Sequence, residues 1–165
     1  MRTPLLAAVL LASAFSGPAM ATDATFVKKA AISDMYEIQA SQLAQTKAVS
    51  ADVKNFASKM VSDHTKTSDQ LKSILSSKSD LKAPSAMDAK HKALLGKLKS
   101  ASGADFDAAY AQQQLEAHQQ AVLLFTGESQ NGKDTDLKNF ASQTLPTLQK
   151  HLSMAQTLQK GGAKP

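Results

Sequence analysis

The 165-residue sequence contains no Cys and no Trp, a single Arg, seven Gly and five Pro, and aromatic residues make up only 5% of it. Without Cys there can be no disulfide, no thiol nucleophile and no thiolate metal site, and the apolar N-terminal run is not followed by the Cys that a lipid-modified bacterial N-terminus requires. The one Arg is Arg2, so the remaining cations are 18 Lys, interleaved along the chain with 14 acidic residues. A nucleic-acid binder would gather its positive charge and offer Arg to base edges or aromatics to stacked bases. These Lys residues read as solvated helix faces, and nucleic acid is not an expected partner. Nothing alternates with period two over ten-residue segments, which argues against a membrane barrel. A Gly-rich phosphate loop, a nucleotide fingerprint and a Ser-His-Asp order are also missing.

What is present begins with "MRTPLLAAVLLASAFSGPAMA", Met1 to Ala21: Arg2, an apolar run from Leu5 to Phe15, and the small-x-small triplet Ala19-Met20-Ala21. This is the pattern of a secretory signal peptide cleaved after Ala21. The apolar run is far short of the roughly 20 residues that a membrane span needs, so the chain is not expected to be transmembrane. The expected location is the periplasm or the exterior, with peripheral envelope association as a further expectation. Residues 22 to 165 are long enough for one domain with a core and too short for two.

The mature part is rich in Ala, Ser, Gln and Lys, with Gly and Pro gathered at a few joints, which favours helix over sheet. Apolar and small residues step by three and four along Phe26, Ala30, Ser33, Glu37, Ala40 and Ala44, and again along Val53, Ala57, Met60, His64, Thr67, Leu71 and Ile74. Two further stripes run from Tyr110 or Ala111 through Gln114, His118, Ala121 and Phe125, and from Leu137 through Ala141, Thr144, Leu148, His151, Ala155 and Leu158. The expected long helices lie near 23 to 49, 51 to 78, 104 to 131 and 134 to 160. Ser50, Asp105 and Asp134 suit N-caps, and Asn131-Gly132 suits a helix end. Ser85 followed by Asp88 resembles a capping box, placing a short helix near 86 to 99 between the second and third long helices.

The heptamer "DVKNFAS" at Asp52 to Ser58 returns as "DLKNFAS" at Asp136 to Ser142, 84 residues later. Each copy opens the second helix of a helical hairpin, with Phe56 and Phe140 filling equivalent core positions. The expected fold is all-α, a ferritin-like four-helix bundle of two hairpins joined by a long crossover that contains a short helix. Hairpins joined in this way place their turns at opposite ends and make the first and third long helices antiparallel. Glu37, His64, His118 and His151 then fall one per helix on the core-facing lines. From their distances to the turns, roughly 20 and 25 Å, the two pairs meet near mid-height within about one helical turn.

The segments "MYEIQASQLA", "VKNFASKMVSDH", "GADFDAAY" followed by His118, and "LKNFASQTLPTLQKHL" resemble the bacterial exported family catalogued as domain of unknown function 4142, over essentially the whole mature chain. The resemblance is carried by Asp63-His64, by Phe106-Asp107 with Tyr110 and His118, and by Leu145-Pro146 with His151-Leu152. It implies a ferritin-like bundle and no particular reaction. One departure is that His118 is preceded by "LEA", with Glu116 two positions away, where an acidic residue directly before the His is expected.

A dinuclear iron or manganese centre of the ferritin-like kind needs two Glu-x-x-His motifs. The residues three before His64, His118 and His151 are Val61, Leu115 and Leu148, so the ligand count argues against that centre. Two readings stay open. In one, Glu37 accepts hydrogen bonds from the imidazoles in a buried network, and the chain is a non-catalytic binding or stress-related module. In the other, Glu37, His64, His118 and His151 hold a single divalent ion: zinc, iron, manganese or copper. The sequence favours the first. Asp63 and Glu116 are expected in salt-bridge or supporting roles, His91 is expected to be solvated, and Pro146 is expected to kink the last helix ahead of His151.

Overall fold

The computed structural model describes residues 23–162, so the signal-peptide reading of residues 1–21 lies outside the described residues. The described chain folds into α1 (Asp23–Lys47), α2 (Ala51–Leu75), α3 (Ala89–Ser100), α4 (Gly103–Asn131) and α5 (Thr135–Gly162). No strand occurs among the described residues, and none of their helices is long and apolar enough to cross a membrane. α1 packs on α2 and α4 on α5, and the two hairpins close face to face through α1 on α4 and α2 on α5.

Contacts at the two turns fix the topology. Asp107, near the start of α4, accepts the N–H groups of Val49 (3.2 Å) and Ser50 (2.7 Å) in the α1–α2 turn. Asp23, at the start of α1, accepts those of Lys133 (2.9 Å) and Asp134 (3.1 Å) in the α4–α5 turn. Donors and acceptors are both related by the 84-residue offset, so each hairpin ties down the turn of the other about a pseudo-two-fold axis. The turns therefore lie at opposite ends, α1 and α4 run antiparallel, and α3 lies along the crossover, against α1 and α4.

Helix ends follow local hydrogen-bond competition. Ser50 caps α2 by accepting from Val53 N, Asp134 accepts from Leu137 N at the start of α5, and Gly132 closes α4 with its N–H on Glu128 O. α1 stops at Lys47, short of the expected 49, because the Asp107 carboxylate takes the next two free N–H groups. α2 stops at Leu75 rather than 78, where Ser76 and Ser77 turn their hydroxyls back onto Ser73 O and Ile74 O. The capping box at Ser85 does not form; Asp88 is itself the N-cap of α3, accepting from His91 N. Asp105 is not a cap either. The chain enters α4 through extended Ser102 and through Gly103, whose φ of +57° suits glycine. α5 runs through Pro146 as one helix.

The core divides into two apolar clusters. One, beside the α1–α2 turn, gathers Tyr36, Ala40, Val53, Phe56, Met60, Phe106 and Tyr110 with Leu95 and Leu98 of α3. The other, beside the α4–α5 turn, gathers Phe26, Leu71, Phe125, Leu137, Phe140 and Leu148. Phe56 and Phe140 thus occupy equivalent places at opposite ends. Between the clusters lies a buried polar layer of Asp34, Glu37, His64, Gln114, His118 and His151.

Candidate metal centre

Glu37, His64, His118 and His151 all face inward, with Glu37, His118 and His151 each 1% exposed and His64 3%. The imidazoles form a triangle with ring centroids 5.4 to 5.6 Å apart. One nitrogen from each ring can be chosen so that all three lie within 4.8 Å of one another. Helix spacing produces this convergence, since α2, α4 and α5 each turn one imidazole into the same level of the bundle.

The other nitrogen of each ring is occupied. His64 Nδ1–H donates to Asp34 Oδ1 (2.8 Å), His118 Nδ1–H to the Gln114 carbonyl one turn earlier on α4 (2.8 Å), and His151 Nε2–H to Asp63 Oδ2 (2.8 Å). These bonds set the tautomers and leave the lone pairs of His64 Nε2, His118 Nε2 and His151 Nδ1 buried and without a protein partner. An oriented imidazole whose far nitrogen is held by a carboxylate or carbonyl is the arrangement that makes a good metal donor.

Electrostatics keep two of the three rings neutral. Burial, reinforced by the neighbouring His64, lowers His118 to about 3. Burial also lowers His151, to about 4, against the opposing bond from Asp63. For His64 burial acts downward as well, but the Asp34 bond and the charges of Glu37 and Asp34 outweigh it, and its pKa is raised. Burial raises Asp34 despite its His64 partner, and raises Glu37 to about 7 against the lowering influence of His64 and Gln114.

Glu37 does not take the place that the hydrogen-bonded network reading gave it. It accepts no hydrogen bond from an imidazole, and both of its oxygens are buried without a partner of good geometry. It sits by the Gln114 side chain and within electrostatic reach of His64 and Tyr110, outside the 4.8 Å set of the three imidazoles. Asp63 fills the supporting role expected of it, bonded to His151 and paired with Lys59 at 2.7 Å. Glu116 is exposed and accepts from Gln112 Nε2. His91 is not simply solvated: its ring packs on Tyr36 at 5.4 Å and its Nδ1–H donates to Asp88.

Asp34 was missed by sequence reasoning, which carried the α1 stripe through Ser33. Ser33 is half-buried and Asp34 fully buried. Two signals pointed to Asp34: it lies one turn from both Ala30 and Glu37, and the 84-residue offset makes it the repeat mate of His118.

An open groove at the α1–α2 turn end is lined by Asp52, Phe56, Asp107, Met154 and Leu158 among others, and by none of the three His residues. The centre is therefore enclosed by helices rather than set in that groove.

No curated protein sequence matches the chain. Three solved structures share its fold. "CopM in the Cu(II)-bound form" has a TM-score of 0.72 and 17% identity over 85% of this chain and 97% of that one. "CopM in the Ag-bound form (by co-crystallization)" has a TM-score of 0.70 and 17% identity over 87% and 98%. "CopM in the Cu(I)-bound form" has a TM-score of 0.71 and 19% identity over 87% and 99%. The family model described as "Domain of unknown function (DUF4142)" matches residues 9–158, nearly the whole chain, and the protein belongs to that family.

Proposed function

We propose that this protein binds one transition-metal ion in the middle of the bundle through His64, His118 and His151, with Glu37 as the carboxylate of the site, and that it does so as a binding protein rather than an enzyme. The observation that carries the reading is the set of three buried, unpartnered imidazole lone pairs within 4.8 Å of one another, each ring held by its other nitrogen. Such atoms cost about 1–3 kcal/mol each when buried without a partner, and one cation satisfies all three together. Imidazole donors suit copper, zinc, iron and nickel. Copper is the first candidate, since structures of the similarly folded CopM are described in Cu(II)-, Cu(I)- and Ag-bound forms. Helices on all sides of the centre support binding over turnover. The N-terminal pattern supports export after cleavage near Ala21, to the periplasm or beyond, with peripheral contact to the envelope. The mature protein, residues 22 to 165, is then a single ferritin-like domain.

The test is metal analysis and thermal unfolding of the purified protein, stripped with chelator and refilled. One copper ion per chain is expected. Its binding should raise stability by about 2.7 kcal/mol when free metal stands at 100 times Kd. His118→Ala should abolish both uptake and the rise. Failure of the stripped protein to take up copper, zinc, iron or manganese would overturn the reading.

A further inference from the structure

The polar layer holds two buried carboxyl groups as well as ligands. Asp34 is 3% exposed and Glu37 1%, and Asp34 Oδ2 and both Glu37 oxygens have no hydrogen-bond partner. The Gln114 amide, also buried, has both of its polar atoms unpartnered beside Glu37. Lysine provides little compensation here. Lys59 is bonded to Asp63, and Lys72, whose charge reaches Asp34, is largely exposed and paired with Asp69. Once they ligate a cation, the three imidazoles are neutral and add no charge of their own.

We infer that Asp34 and Glu37 select the charge of the ion that the three-histidine centre accepts, favouring a divalent cation over a monovalent one such as Cu(I) or Ag(I). The inference rests on the metal reading of the same three imidazoles. A divalent ion favours the ionised form of both buried carboxyls and makes a neutral layer with them. A monovalent ion leaves one negative charge uncompensated in a low-dielectric interior, where an unpaired charge is expensive. The argument holds whether Glu37 touches the ion directly or across a water molecule, because the charge count is the same. Asp63 differs from Asp34 in this respect. Both orient an imidazole, but Asp63 is paired with Lys59 and its side chain is 24% exposed, so its charge is already answered.

The test compares Cu(II) and Cu(I) affinities of the purified protein by chelator competition, with the potential of the bound copper as a second readout. Glu37→Gln, nearly the same in shape, should lose at least tenfold more affinity for Cu(II) than for Cu(I). That shift raises the one-electron potential by about 59 mV for each factor of ten. Asp34→Asn should move the ratio in the same direction and carries the test if helical circular dichroism shows that Glu37→Gln does not fold. Asp63→Asn should move it less. An unchanged ratio in a folded Glu37→Gln or Asp34→Asn protein that still binds copper overturns the charge selection and leaves the metal reading standing. An Asp63→Asn shift as large as theirs does the same. A wild type that binds Cu(I) but not Cu(II) overturns the charge selection alone, and one that takes up no copper, zinc, iron or manganese overturns both.

Discussion

Asp34 and His64, 30 residues apart on neighbouring helices, are both almost fully buried and meet at 2.8 Å through Oδ1 and Nδ1. The bond turns His64 Nε2 towards His118 and His151. Asp34 thereby links α1, which gives no imidazole, to a centre built from α2, α4 and α5. Replacing it with Ala leaves the His64 ring free to rotate and strands its Nδ1–H. Loss of such a partner typically costs 10- to 100-fold in metal affinity, and that drop is expected in titrations of Asp34→Ala followed by competition with a chelator. Unchanged affinity would show that packing alone orients His64.

Function and stability should oppose each other at His118. Its Nε2 is buried and unpartnered, and the ring is held neutral by burial. In metal-free protein, His118→Leu removes that stranded acceptor and keeps a side chain of similar bulk. Urea unfolding in chelator should then show a variant as stable as wild type or about 1 kcal/mol more so. Added copper should stabilise the wild type only. A metal-free variant clearly weaker than wild type would mean that the bond from His118 Nδ1–H to the Gln114 carbonyl contributes more than the stranded Nε2 costs.

Most of the fold was legible in the sequence because it rests on short-range pattern. Stripes such as Val53–Ala57–Met60–His64 are buried as a set, and the heptamer repeat marks equivalent helices. The repeat also foretold the crossover, since two hairpins with a long connection between them can place their turns at opposite ends. The site was only half legible. His64, His118 and His151 stand out because polar residues interrupt apolar stripes. Asp34 does not, because α1 is covered by α2, α3 and α4 and its buried face is broad enough to include Ile32, Asp34, Tyr36 and Glu37 together. On so wide a face, period alone cannot separate Ser33 from Asp34. Nor could the sequence show that the imidazole hydrogens go to Asp34, Gln114 and Asp63 rather than to Glu37, since that depends on angstrom-scale side-chain geometry.

The turn clasps give a prediction independent of metal. Asp107 alone accepts both Val49 N–H and Ser50 N–H, two groups that the end of α1 and the start of α2 leave free. Asp107→Ala should destabilise the protein by about 1–2 kcal/mol, the range for loss of a helix-capping carboxylate. Hydrogen exchange should quicken first at Val49 and Ser50. Because the contact closes one hairpin onto the other, an effect near zero would mean that this end of the pseudo-two-fold interface does not depend on the clasp.

Glu128 sets a pH dependence at the opposite end. It is 3% exposed, both oxygens lack a partner, and it lies so close beneath the turn that a Cβ on Gly132 would collide with its Oε1. Burial first, and then the charge of Asp23, raise its pKa from 4.5 to about 7. Below pH 4.5 the carboxyl is protonated in folded and unfolded chains alike and contributes no difference. As pH climbs from 4.5 towards 7 the unfolded chain releases the proton while the folded one keeps it, so stability falls through that window and the loss is complete above it. Glu37 and Asp34, also raised, act in the same sense, and the lowered His118 and His151 act in the opposite one. The informative quantity is therefore the difference between Glu128→Gln and wild type, measured by denaturant unfolding in chelator at several pH values. That difference should be smallest near pH 4.5 and grow to about 1–3 kcal/mol in favour of the variant by pH 8. A difference independent of pH would show that Glu128 titrates normally and that a partner compensates its buried charge.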